Sequence, residues 1–343
     1  MPAAVPCLRV PVHRQRHCGG GNRDPMRSTA STAKDEALRA LLDVEMRRAV
    51  PPAVTALAGR LAARAGPCAA AVLFYGSALR DEALDGVLDF YVLVDRASDW
   101  PGSWLAAGAN RVLPPNVGYL QDAVDGHQLR VKYAVMTVAQ FDRAMCLDRV
   151  DTTLWARFSQ PCACIHARSD DDRARVLDAV IDAVVAAASW AAALGPLRAD
   201  ALAFWRALYA RTYAAELRVE RKTRSADILA HDAPRFARLL PLAWTAAGLT
   251  FTESGGWYEP ALTPGERATA ERRWRRRERL GRPLNLLRLL KAALTFDNAT
   301  DYVAWKVERH SGYLIEPTAF QRRHPLLAAP GLYRRLRKQG VLR

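Results

Sequence analysis

Apolar runs of strand length, separated by turn residues, occupy residues 70–137, and apolar positions at helical spacing fill most of the rest. Leu38, Leu41, Leu42, Met46 and Val50, then Val54, Leu57 and Leu61, predict two helices broken at Pro51-Pro52 and packed on the following sheet. Residues 71–75 and 87–94 are nearly continuous apolar runs and predict buried strands. Residues 113–117, with two prolines, predict a loop, and 118–121 the start of a strand. Asp125-Gly126 predicts a hairpin turn into a strand over 128–137. Alternation in that strand puts Arg130 and Lys132 on one face, opposite Val131 and Tyr133.

Residues 138–165 predict a helix and then a short strand at 162–166. From residue 170 onward the 3.6-residue period dominates. Helices are expected at 171–194, 197–222, 233–247 and 266–294, the last interrupted at Gly281-Arg282-Pro283. Residues 251–263, containing Gly255-Gly256-Trp257, predict a loop. The class that follows is α+β: a mixed sheet flanked by helices, then a mostly helical domain. The expected organisation is a disordered basic extension (1–33), a sheet domain (34–168), a helical domain (169–325) and a basic amphipathic tail (326–343).

Composition narrows this picture. The chain has 343 residues, half of them hydrophobic, and a net charge of +15. Residues 266–343 hold 19 Lys/Arg against 7 Asp/Glu, so most of the excess lies in the last quarter. Such asymmetry points to an anionic partner: membrane lipid, nucleic acid or a phosphorylated substrate. The six cysteines have neither disulfide nor zinc spacing, which fits reduced thiols in a cytoplasmic setting. The apolar stretch 176–194 contains Asp178 and Asp182 and reads as a buried helix, not a span. The N-terminus lacks the apolar core of a signal peptide; it reads as a disordered extension, or as sequence upstream of a start at Met26.

The chemistry concentrates between Leu73 and Asp95. A strand turns at Gly76-Ser77 onto a short helix, and the next strand carries Asp89. Glycine lets the backbone turn tightly and approach a ligand. Free amides at a helix start favour anions. Ser77 can donate its hydroxyl to a phosphate oxygen, and Asp89 can hold Mg2+ against a triphosphate. This layout, with eleven residues between Ser77 and Asp89, resembles that of the nucleotidyltransferase superfamily.

Tyr75-Gly76-Ser77, Leu88-Asp89-Phe90, Val94-Asp95 and Lys132-Tyr133-Ala134 together resemble motifs of the mitochondrial-type phosphatidate cytidylyltransferases, the translocator assembly and maintenance family, which has bacterial relatives. Residues 155–161, WARFSQP, look like a variant of that family's Trp-containing helix and its following strand entry. The likeness spans roughly residues 70–165. It implies a nucleotidyltransferase-type mixed sheet and transfer of CMP from CTP to phosphatidic acid, giving CDP-diacylglycerol and pyrophosphate with Mg2+. By that resemblance Tyr75, Gly76 and Ser77 bind the nucleotide. Asp89 is a catalytic metal ligand, and Lys132 neutralises phosphate charge. Two departures stand out. Ala78 replaces the family's usual third turn glycine, and Tyr91 stands where the wider superfamily has a second carboxylate. Asp95, about 20 Å from Asp89 along an extended strand and so too far to share its ion, is kept as a candidate for a second metal site, and Arg130, Arg218 and Glu220 as substrate-phosphate candidates.

The expected partners are CTP, phosphatidic acid and an anionic membrane surface, with the protein peripheral on the inner, cytoplasmic face. Trp274 within residues 271–279, ERRWRRRER, and Tyr333 in the tail would sit at the lipid interface. Two alternatives remain: a nucleotidyltransferase acting on a small molecule, a protein or an RNA end, and a non-catalytic nucleic-acid-binding form of the fold. The absence of RNA-reading aromatic motifs counts against the last.

Overall fold

The computed structural model describes residues 29–81, 84–124, 126–215, 229–295, 298–311, 316–323 and 331. The N-terminal extension to residue 28, Arg218, Glu220 and the tail segment 332–343 lie outside them. The architecture is α+β, with a mixed five-stranded sheet flanked by helices. The chain packs as two compact units. One comprises Ala49–Val138, Cys164–Ser169 and Leu286–Arg343; the other comprises Met1–Arg48, Ala139–Ala163 and Asp170–Asn285. A single boundary near residue 168 therefore does not describe the packing.

In the sheet unit, β1 (Ala69–Tyr75) runs antiparallel to β2 (Val87–Val94), and β2 runs parallel to β4 (His127–Thr137). The neighbour of β4 on its other side is β3 (Asn116–Val124), antiparallel to it. Adding the edge strand β5 (Cys162–Ala167) gives the order β3-β4-β2-β1-β5. β3 starts directly after Pro115, inside the stretch expected to be loop. α2 (Pro52–Ala65) buries Val54, Leu57 and Leu61 and covers the face carrying Phe74, Phe90 and Tyr133. Its Arg64 donates to the Tyr133 hydroxyl at 3.0 Å and lies over the Trp100 ring. Gly118 is fixed by the same packing: a Cβ there would fall 2.3 Å from the paired Tyr133 ring.

The helical unit contains α1 (Thr29–Met46), most of α5 (Val138–Ala144), α6 (Thr153–Phe158), α7 (Asp170–Leu194), α8 (Ala201–Ala215) and α9 (Ala233–Ala246). α1 was expected on the sheet. Instead Leu38, Leu42 and Met46, one helical face, are buried in this unit against α7 and α9. The break at Pro51-Pro52 frees α1 from the direction of α2, so each helix follows its own apolar face. Glu45 is tied to Arg235 through two guanidinium bonds of 2.5 and 3.0 Å, and Arg235 also donates to the Ser159 carbonyl. α7 is long and apolar enough to cross a membrane by length and composition, but 67% of its most apolar window is buried, as a core helix requires.

Residues 251–263 are not simply a loop. β7 (Phe251–Ser254) and β8 (Trp257–Pro260) form a hairpin, and β6 (Ala199–Asp200) pairs antiparallel with β8. Gly255 and Gly256, at φ +58° and +81°, make the two-residue turn that matches strand twist. Nor does Pro283 break the next helix: α10 runs continuously over Pro264–Thr295. Pro283 is exposed, so water can take the carbonyl its missing N–H leaves unbonded.

Candidate active site

Strand register brings the predicted residues together at one end of the sheet. Tyr75, the last residue of β1, pairs with Asp89, and Asp89 pairs with Lys132 on β4. Directly paired residues project to the same face, so Tyr75, Asp89 and Lys132 share one side of the sheet. Asp89 and Lys132 are both half-buried. Immediately beyond Tyr75, Gly76 turns the chain at φ +94°. A Cβ at Gly76 would fall 3.0 Å from Asp89 Oδ2, so the bare backbone of the turn lies against the carboxylate. The glycine is required twice here, for its dihedral and for this approach.

Ser77 opens α3 (Ser77–Asp81), a helix of only five residues. The expected contribution of a helix dipole is therefore small, and any anion at the turn must be held by local N–H and hydroxyl groups. Tyr91, two residues beyond Asp89, is 1% exposed and packs against Tyr75 with ring centroids 5.4 Å apart. The place of a second carboxylate is filled by core.

Asp95 does not join this group. It lies just past the opposite end of β2, where Arg168 holds it with two bonds of 2.7 and 3.2 Å. Six residues of extended chain separate it from Asp89, about 20 Å. As a second ligand to an ion on Asp89 it is excluded by distance, and its carboxylate already has a cation.

Arg130 lies on the predicted face with Lys132, two residues away on β4. Residues that the sequence reading passed over join it there from α11 (Ala299–Ser311), which covers this face. Tyr302 packs on Tyr119, with centroids 5.4 Å apart. The Trp305 ring lies under two guanidiniums, Arg130 at 5.5 Å and Arg309 at 5.3 Å from its centroid. Arg309 Nη1 also comes within 3.9 Å of where a Gly86 Cβ would be, beside the start of β2. Burial pushes the Tyr119 phenol up in pKa, against opposing hydrogen bonds from Gln121 and Arg130. The signal for α11 was present: Tyr302, Trp305 and Arg309 recur at helical spacing.

No group of three or more His, Cys, Asp or Glu that could hold a metal ion occurs among the described residues. A single carboxylate suits Mg2+ only when substrate phosphates complete its oxygen shell, a mode that Mg2+ uses commonly. Asp89 fits that mode and does not fit an all-protein cage. No protein-family model matches the chain, and no curated protein matches it.

Proposed function

We propose that the protein is a Mg2+-dependent nucleotidyltransferase that transfers CMP from CTP to phosphatidic acid. The observation that carries this reading is the Gly76 turn lying against the Asp89 carboxylate, with Lys132 in register on the next strand. The turn amides and Ser77 would cradle the triphosphate. Mg2+, held by Asp89 and phosphate oxygens, would neutralise charge on the leaving pyrophosphate. Lys132 would hold a non-bridging phosphate oxygen. Positioning and charge neutralisation are what phosphoryl-type transfer chiefly needs. A nucleotidyltransferase with another acceptor would use the same turn and carboxylate.

The membrane partner is proposed on different residues from those first expected. Trp274 is fully buried, packed edge-on against Trp190, and Arg277 donates to the Leu147 and Arg149 carbonyls. That side of α10 belongs to the core of the helical unit. In the sheet unit, however, α4 (Trp104–Val112) exposes Trp104, Leu105 and Val112, and the end of α10 exposes Leu286, Leu287 and Leu290. Neither α4 nor residues 286–295 contain an acidic residue. An apolar and basic surface of this kind suits the anionic, cytoplasmic face of a bilayer.

The test is pyrophosphate release from CTP with Mg2+ and phosphatidic acid vesicles, comparing native protein with Asp89→Asn. Turnover lost in the variant is expected. Equal turnover in both, or none in the native protein with any nucleotide, rejects the reading.

A further inference from the structure

Arg130 and Arg309 are far apart in sequence, one on β4 and one on α11, yet both guanidiniums lie over Trp305. Both belong to the sheet unit and to the face that carries Asp89 and Lys132. Gathering like charges is unfavourable unless an anion compensates them. Arg130 also has its Nε buried without a hydrogen-bond partner among the described residues. An empty buried donor costs about 1–3 kcal/mol, more when charged. The Trp305 ring, 5.5 Å and 5.3 Å from the two guanidiniums, acts as a brace that sets them.

We propose that Arg130 and Arg309, braced by Trp305, form the site for the phosphate monoester of the acceptor. This rests on reading Asp89 and the Gly76 turn as the nucleotide site. A phosphate monoester carries close to two negative charges near neutral pH and three acceptor oxygens, which guanidinium forks match in geometry. Its attacking oxygen is already unprotonated, so no general base is required. That oxygen forms a bond to the α-phosphorus of the nucleotide. The bond from the α-phosphorus to the bridging oxygen breaks, and pyrophosphate leaves with the electron pair. Lys132, two residues along β4 from Arg130, is the strand partner of Asp89.

The experiment measures binding of glycerol 3-phosphate and of short-chain dihexanoyl phosphatidic acid to the full chain by calorimetry, without turnover. Arg309→Gln and Arg130→Gln are compared with native protein and with Arg309→Lys. Arg309 is exposed, so its replacement should leave the fold intact, which thermal melting checks. The Gln variants should lose at least about tenfold in affinity, as for a lost charge-assisted hydrogen bond, with CTP affinity unchanged. Arg309→Lys should recover part of the loss. If both ligands are weakened equally, the phosphate alone is read; if only the lipid binds the native protein, the glyceride is read as well. Native-like phosphate binding in both Gln variants overturns the proposal, whatever turnover shows. Loss of phosphate binding without any CTP turnover by native protein keeps the phosphate site and removes the nucleotidyl-transfer reading.

Discussion

Gly76 and Asp89 are in direct apposition: the missing side chain of one leaves the space that the carboxylate of the other borders, 3.0 Å from an ideal Cβ. Gly76→Ala therefore strains a backbone at φ +94° and displaces Asp89 together. Such strain costs about 1–3 kcal/mol. The expected result is a loss of CTP turnover of at least about tenfold, with a melting temperature lowered by several degrees. A Gly76→Ala protein with native turnover would mean that the turn and the carboxylate do not act together.

Asp95→Asn should behave oppositely. Its partner Arg168 is 38% exposed and Asp95 is 45% exposed, so the pair is screened by water. Loss of such a pair costs about 0.2–1 kcal/mol. Stability should fall by no more than that, and turnover should not change. A collapse in turnover comparable with that of Asp89→Asn would restore Asp95 to the metal site.

The strands were legible because β1 and β2 are unbroken apolar runs, and burial on both faces makes such runs the simplest solution. Alternation alone put Arg130 and Lys132 on one face. What escaped depended on partners distant in sequence. Nothing within residues 29–46 states that their apolar face meets α7 and α9 instead of the sheet. Trp274 sits among arginines, and only the burial of Trp190 and Arg277 beside it makes it core. The stripe of Tyr302, Trp305 and Arg309 had the period of a helix face but acquires meaning only when Arg130 lies beneath it. Gly255-Gly256 reads in the sequence as part of a loop, and its role as the turn between two short strands shows only once those strands pair.

The burial of Trp274 separates two accounts of membrane association. Trp274→Ala should cost about 3–5 kcal/mol of stability, as large-to-small core changes do, while the protein that remains folded binds anionic vesicles as before. Replacing Trp104, Leu105 and Val112 together by Ser should leave stability nearly unchanged, since these side chains are 81%, 61% and 85% exposed. Co-sedimentation with phosphatidic acid vesicles should then fall by more than about tenfold, since even one large apolar side chain fully withdrawn from water is worth about 1.5–3 kcal/mol. Undiminished sedimentation of the triple variant would place the lipid contact elsewhere.

Lys291 predicts a pH dependence of stability with a definite sign. Its ammonium donates to the Leu113 and Pro115 carbonyls at 2.5 and 2.6 Å, and burial, aided by Arg288, brings its pKa down to about 8 from 10.5. A neutral amine still has two N–H groups for the two carbonyls. Below about pH 8 the lysine is charged in both folded and unfolded chains, and the cost of burying that charge is fully present. Between about 8 and 10.5 the unfolded chain binds more protons, so this group makes stability rise with pH. Other groups titrate over the same range, so the quantity to follow is the urea midpoint of native protein minus that of Lys291→Met. This difference should grow in favour of the native protein from pH 8 to pH 10. A flat difference would show that Lys291 titrates near its ordinary value and that the two carbonyl bonds do not hold a desolvated amine.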